Sequence, residues 1–241
     1  MTRIFVNKED VEGEIIVIKG ADSVHLASAL RVKADEKIVC CDGEGTDYLC
    51  TVISASPKET VLKTDETRPS SSEPPYRVRL YQSLPKGDKF ELVIQKAVEL
   101  GVYSVTPVLS ERCISRPDAA ALEKKRQRWQ SISREAAQQS GRGVIPRICP
   151  ALTFSQALKD LPEGALGLFC YEDEKEKSIR SALVRSDDIC VFIGPEGGYS
   201  ASEAEAAVRA GCRPVSLGKR ILRTETAPLF VLSSIIYEFE L

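Results

Sequence analysis

The residues best suited to chemistry lie in two stretches near the C-terminal end of this 241-residue chain. The first is Ile193-Gly194-Pro195-Glu196-Gly197-Gly198-Tyr199-Ser200, which follows the apolar run Asp188-Ile189-Cys190-Val191-Phe192. The second is Leu217-Gly218-Lys219-Arg220-Ile221-Leu222-Arg223-Thr224-Glu225-Thr226-Ala227, which follows the strand-like Pro214-Val215-Ser216. A strand that runs into glycines leaves backbone N–H and C=O groups uncovered at the carboxyl end of a sheet, where open α/β sheets hold small polar molecules. Two such loops imply one shared pocket. Glu196, Arg223 and Glu225 give it charge. Neither loop carries the Gly-Lys-Ser/Thr of a phosphate cradle, which argues against a nucleotide hydrolase.

The elements that must position these loops read as alternating strands and helices. Val78 to Leu84 is a strand, Asp88 to Leu100 a helix with Phe90, Val93, Ile94, Ala97 and Leu100 on one face, and Ser104 to Leu109 a second strand. Gly101 ends the helix. A βαβ unit implies a parallel sheet, to which Leu166–Tyr171 and Asp188–Ile193 add buried strands. Ser200-Ala201-Ser202-Glu203 is a capping box and fixes where the first loop stops. The last helix, from about Thr226 to Glu240, is apolar on most sides and needs cover on more than one of them.

The first part of the chain has a different pattern. Gly13–Ile18, Glu36–Cys41, Tyr48–Ile53 and Glu59–Leu62 are β-branched runs, with Asp42-Gly43-Glu44-Gly45-Thr46 as a hairpin turn between two of them. Only Ser23 to Val32 suggests a helix. The outline is a small β-barrel. Thr67-Arg68-Pro69-Ser70-Ser71-Ser72-Glu73-Pro74-Pro75 reads as a linker, so the chain divides into residues 1–72 and 73–241.

Composition narrows the function. No apolar run approaches the roughly 20 residues of a membrane span, and the start lacks a secretion signal. A cytoplasmic location is expected. The eight cysteines (40, 41, 50, 113, 149, 170, 190 and 212) contain no C-x-x-C pair and there is one histidine, His25, so reduced core thiols are expected rather than disulfides or a metal site. The lone His25, beside an apolar helix face, reads as a packed or capping residue or as one that faces RNA, rather than as a catalyst. The net charge of −2 conceals an uneven distribution. Residues 111–147 hold nine Lys and Arg (Arg112, Arg116, Lys124, Lys125, Arg126, Arg128, Arg134, Arg142, Arg147) against four acidic side chains. Most of these cations fall on the open faces of a helix spanning Asp118 to Ser140, whose buried stripe is Leu122, Trp129, Ile132 and Ala136.

The two C-terminal loops resemble the signature motifs of the RsmE family, SPOUT-class RNA methyltransferases that modify N3 of a uridine in small-subunit ribosomal RNA. Lys86…Lys89…Gln95-Lys96-Ala97-Val98-Glu99-Leu100-Gly101-Val102 and Glu135-Ala136…Gln139-Ser140…Arg142 resemble further family motifs. Lys219 departs from the pattern, where proline is common. The resemblance implies an α/β fold in which an N-terminal PUA-like β-barrel precedes a SPOUT domain with a C-terminal trefoil knot. It implies S-adenosyl-L-methionine as cofactor, 16S ribosomal RNA in the small subunit as partner, and a homodimer through the C-terminal domain. Carried onto this chain, the cofactor residues are Ile193, Gly194, Pro195, Glu196, Gly197, Gly198, Leu217, Gly218, Ile221, Leu222, Thr226 and Ala227. Glu196, as base or orienter, and Arg223, as donor to a uracil carbonyl or phosphate, become catalytic candidates, with Thr224 and Glu225 as alternatives for these roles and bracing of the two loops as the competing role. Arg112, Lys124, Lys125, Arg126, Arg128 and Arg142 become RNA-binding candidates.

Overall fold

The computed structural model describes residues 2–241. They form two compact units, one of residues up to Glu73 together with Ala137–Ile145, the other of Pro74–Ala136 and Pro146–Leu241.

The first unit is a six-stranded sheet. Its strands are β1 (Arg3–Phe5), β2 (Val11–Glu12), β3 (Ile15–Lys19), β4 (Lys37–Cys41), β5 (Thr46–Ala55) and β6 (Glu59–Pro69), in the order β1-β4-β5-β6-β3-β2. All pairings are antiparallel except β1 with β4. The sheet curls, because Ile4 on β1 at one end and Val11 on β2 at the other, with Ile16 and Ile18 on the neighbouring β3, pack on one core with Ile38, Cys40, Cys50, Val52 and Leu62. It is not closed: β1 and β2 are its edges. Arg3 fastens the first edge with two hydrogen bonds to the Asp47 carboxylate on β5, at 2.7 and 2.6 Å.

Three local expectations change here. The helix expected over Ser23–Val32 forms but begins and ends three residues earlier, as α1 (Gly20–Val24) running on into a more widely wound π-helical turn, His25–Ala29, in which Leu30 N–H reaches back five residues to the His25 carbonyl at 3.0 Å. Linker residues 67–69 belong to β6, where Pro69 pairs with Thr46. Beyond Lys63 no strand among the described residues lies on the other side of β6, so the proline forfeits no ladder bond. Residues 137–145 fold with the first unit because Glu73 holds them: its carboxylate accepts from Arg142 Nε at 3.3 Å and from the Gly143 and Val144 amides at 3.0 and 3.2 Å. Gly143 also packs closely on Ser70, whose side chain would lie 2.1 Å from a Cβ there.

The second unit is a parallel sheet. Its strands are β7 (Arg77–Ser83), β8 (Ser104–Leu109), β9 (Arg147–Ile148), β10 (Leu152–Thr153), β11 (Leu166–Cys170), β12 (Asp188–Ile193) and β13 (Arg213–Val215). The order is β10-β8-β7-β12-β11-β13, with β9 also on the free side of β8. The helices are α2 (Lys89–Glu99), α3 (Ala119–Gln139), α4 (Phe154–Lys159), α5 (Ile179–Ala182), α6 (Ala201–Arg209) and α7 (Ala227–Phe239). The late strand β12 sits between β7 and β11, so chain direction across the sheet reverses there. Such a reversal opens a crevice at the carboxyl ends of the strands. An aromatic core of Tyr81, Phe154, Phe169, Phe192 and Tyr199 lies against this sheet, with Tyr81 and Phe192 stacked at 4.6 Å.

Candidate active site

Because β12, β11 and β13 are parallel neighbours, the loops that follow them emerge on one edge. These are residues 171–175 after β11, 194–198 after β12 and 216–226 after β13. Together with Lys89 they line a cavity of about 480 Å³. Of the residues expected to hold the cofactor, Ile193, Gly194, Pro195, Glu196, Gly197, Gly198, Leu217, Gly218, Ile221, Leu222 and Ala227 line it. Thr226 does not. It is the exposed residue at the start of α7, and its amide donates to the Arg223 carbonyl at 2.8 Å.

The first loop is shaped by close backbone approach. A Cβ on Gly194 would stand 3.3 Å from the Gly198 backbone and from the Tyr199 ring. Gly198 has φ +65°, and its missing side chain leaves room for the Glu172 carboxylate, which would lie 1.8 Å from a Cβ. Tyr199 anchors the end of the loop, 1% exposed and 4.4 Å from the Phe169 ring. Ser200 then caps α6 as its sequence implies, accepting from the Glu203 amide. The loop after β8 braces it from behind: Arg112 donates to the Gly197 carbonyl at 2.8 Å, and the Glu111 amide donates to Glu203 at 2.8 Å.

Two ties join the first loop to the second. One is buried and uncharged, running from Gln82 through Thr224 to the Gly194 carbonyl. The other lies nearer the surface: Lys89 stands 3.3 Å from both Glu196 and Glu225. Glu196 also accepts from the Lys86 amide at 3.0 Å. Partial burial raises the Glu196 carboxyl, but backbone amides, its own and that of Lys86, and the Lys89 ammonium outweigh this and hold it below the usual carboxylate range. A carboxylate held ionised in this way is a weak proton acceptor and a good brace. Arg223 differs. It lines the cavity, is exposed, and its guanidinium makes no hydrogen bond or ion pair among the described residues.

The cations of α3 are unequal. Lys124 and Lys125 are exposed, and Lys125 lies 6.0 Å from the Trp129 ring. Arg126 pairs with Glu123 and Arg128 with Glu91. Arg142 is a correction: it is 4% exposed and its guanidinium is bound to Glu73, so a phosphate cannot reach it. Tyr171, Glu172, Lys175 and Ser216, which sequence reasoning does not single out, also line the cavity. Part of the signal is local, since Tyr171-Glu172 follows a buried strand at the same edge. Lys89 stands out in the sequence only as part of a motif.

The family description "RNA methyltransferase domain" matches residues 72–236, and "RNA methyltransferase PUA domain" matches residues 18–65. The chain is 33% identical to Ribosomal RNA small subunit methyltransferase E of Bacillus subtilis, over 100% of this chain and 98% of that protein. The chain belongs to the ribosomal RNA small subunit methyltransferase E family. The Synechocystis member is 34% identical, over 97% of this chain and 76% of its own. A crystal structure of the Neisseria gonorrhoeae family member bound to S-adenosyl methionine superposes with a TM-score of 0.88 at 32% identity, covering 99% of this chain and 98% of that one. The family fold, a PUA domain followed by an α/β methyltransferase domain, is the fold observed. No helix among the described residues is long and apolar enough to cross a membrane. No cluster of three or more His, Cys, Asp or Glu side chains among them could hold a metal, and all eight cysteines are free.

Proposed function

We propose that this protein transfers a methyl group from S-adenosyl-L-methionine to N3 of a uridine in 16S-type ribosomal RNA. The observation that carries this is one cavity built from two tied glycine loops, with an uncommitted arginine at its wall. The cavity suits the cofactor: it is large enough for a nucleoside with an amino-acid arm, and the bare backbone of 194–198 and 217–222 offers donors and acceptors at close range. When bound, the cofactor supplies a methyl group on a sulfonium, an electrophile that needs no metal.

The chain's own residues do the rest. Uracil N3 carries a proton at neutral pH, and charge gathers on O2 and O4 as it leaves. Arg223 donates to one of those oxygens and so favours the anion, with the proton passing to water. Glu196, ionised and fixed by Lys86 and Lys89, orients the first loop. Lys124 and Lys125, with the remaining donors of Arg112, Arg126 and Arg128, hold RNA phosphates. The target base is extruded from its stack to meet the cavity.

A homodimer is part of this reading. Val231, Leu232 and Ile235 of α7 are buried, but Phe230, Tyr237 and Leu241 are 41%, 74% and 94% exposed, an apolar surface that a second copy would cover. A trefoil knot accords with β12 entering mid-sheet and with the chain returning from edge strand β13 to pack α7 against α2 and β12. A ribosomal substrate supports a cytoplasmic location. The test is incubation with labelled S-adenosylmethionine and small subunits lacking the modification, followed by digestion to nucleosides. Label in 3-methyluridine is expected. Label in a 2′-O-methyl nucleoside, or RNA binding without label, would overturn the proposal.

A further inference from the structure

The end of β7 contributes a residue that touches neither solvent nor cavity. Gln82 is 0% exposed. Its Nε2 lies 3.0 Å from the Ser83 carbonyl and 3.0 Å from Thr224 Oγ1, and Thr224 Oγ1 lies 2.7 Å from the Gly194 carbonyl. The Ser83 carbonyl can only accept, so the side-chain amide must present its NH₂ there. That NH₂ also donates to Thr224. The hydroxyl has one proton, and it goes to Gly194. Direction is therefore fixed along the whole path: amide to hydroxyl to carbonyl. One oxygen atom joins the end of β7, the loop after β12 and the loop before α7.

The opposite face of the same amide has no partner. Gln82 Oε1 is buried without a hydrogen bond among the described residues. What holds the residue in place is its two donor bonds, to Ser83 and to Thr224. The surface tie through Lys89 is ionic and partly exposed, and salt and water weaken it. The Gln82 path is uncharged and enclosed at Gln82, while Thr224, 5% exposed, lines the cavity, so salt weakens this tie less than the ionic one.

From this geometry we infer that Gln82 and Thr224 are positioning residues, a buried relay that sets the gap between the two glycine loops and thereby the affinity for the cofactor. Its affinity test rests on the cofactor reading above; its backbone test does not. The variants are Thr224→Val, which keeps shape and removes the hydroxyl, Thr224→Ser, which keeps the hydroxyl, Gln82→Leu, and Gln82→Leu combined with Thr224→Val. By amide hydrogen exchange without ligand, Thr224→Val and Gln82→Leu should each speed exchange across residues 217–225 at least tenfold, while Thr224→Ser stays close to the parent. By calorimetric titration with S-adenosylmethionine, Thr224→Val should weaken binding about tenfold, the range of one hydrogen bond removed from a buried network. Thr224→Ser should stay within about threefold, and the double variant should be little worse than either single one. KM for the cofactor should rise more than kcat falls. If Thr224→Val proves unstable, Gln82→Leu against Thr224→Ser decides the matter. Unchanged exchange at 217–225 in both Thr224→Val and Gln82→Leu overturns the relay, as does additivity in the double variant. A parent protein that does not bind S-adenosylmethionine overturns the cofactor reading, and the exchange result still judges the relay.

Discussion

Gly194→Ala is the sharpest test of how the cavity is built. The new Cβ would stand 3.3 Å from the Gly198 carbonyl carbon and Cα and from Tyr199 Cδ2. Two of these atoms are backbone and the third belongs to a ring only 1% exposed, so none can swing aside. The loop itself must shift by a few tenths of an ångström. Overpacking of this kind costs about 1–3 kcal/mol. For a chain of this size each kcal/mol lowers the melting temperature by roughly 2–4 °C, so a fall of about 2–12 °C is expected by calorimetry. The same shift drags the Gly194 carbonyl from Thr224, and S-adenosylmethionine affinity should fall at least tenfold, or about 1.4 kcal/mol. Gly198→Ala is the contrast. The nearest atoms its Cβ meets are those of the Glu172 carboxylate, the free end of a flexible side chain, so that clash is relieved cheaply and the main cost is the positive φ, about 1–2 kcal/mol. A Gly194→Ala protein with parental melting temperature and parental cofactor affinity would refute the close-approach reasoning.

Arg223→Ala should lower kcat by about 10²- to 10³-fold while cofactor affinity and melting temperature hold, because the guanidinium faces the cavity and braces nothing; equal turnover in a nucleoside assay would remove it from the chemistry. Lys124→Glu with Lys125→Glu should weaken RNA binding and flatten its salt dependence by about one unit of slope for each phosphate no longer neutralised, read from binding isotherms at several salt concentrations. Arg142→Met should leave the Glu73 carboxylate without its cation and destabilise the protein by about 3 kcal/mol in urea unfolding. The pH dependence follows from Glu196 and Lys89. The Glu196 carboxyl is lowered and the Lys89 ammonium is raised, chiefly by its bond to Glu196, so both charges are present throughout the neutral range. The tie breaks only as pH falls through the lowered Glu196 value, below the ordinary range for a glutamate, or rises past the raised Lys89 value. Cofactor affinity should therefore be flat from about pH 6 to 9, and an acid limb centred near pH 7 would show that Glu196 is not held as described.

Much of this protein is written locally in its sequence. The amphipathic spacing of Phe90, Val93, Ile94 and Ala97 makes α2, the box Ser200…Glu203 starts α6, and glycines at 194, 197, 198 and 218 mark the loops, because helix caps and turns depend on residues within a few positions of one another. A signal of the same kind stands at Thr153-Phe154-Ser155-Gln156, the capping box of α4. What the sequence could not decide is long-range pairing. Arg142 stands among cations and looks like one more of them, yet a carboxylate 69 residues away buries it. Glu196 looks like a base until Lys86 and Lys89, over a hundred residues earlier, are seen to claim it. Gln82 sits in a strand with nothing to distinguish it, and only insertion of β12 beside β7 brings Gly194 and Thr224 to its side chain. Local propensity fixes which segments become strands and loops, but the order in which strands meet is a property of the whole folded chain, and that order decides which side chains are braces and which remain free to act.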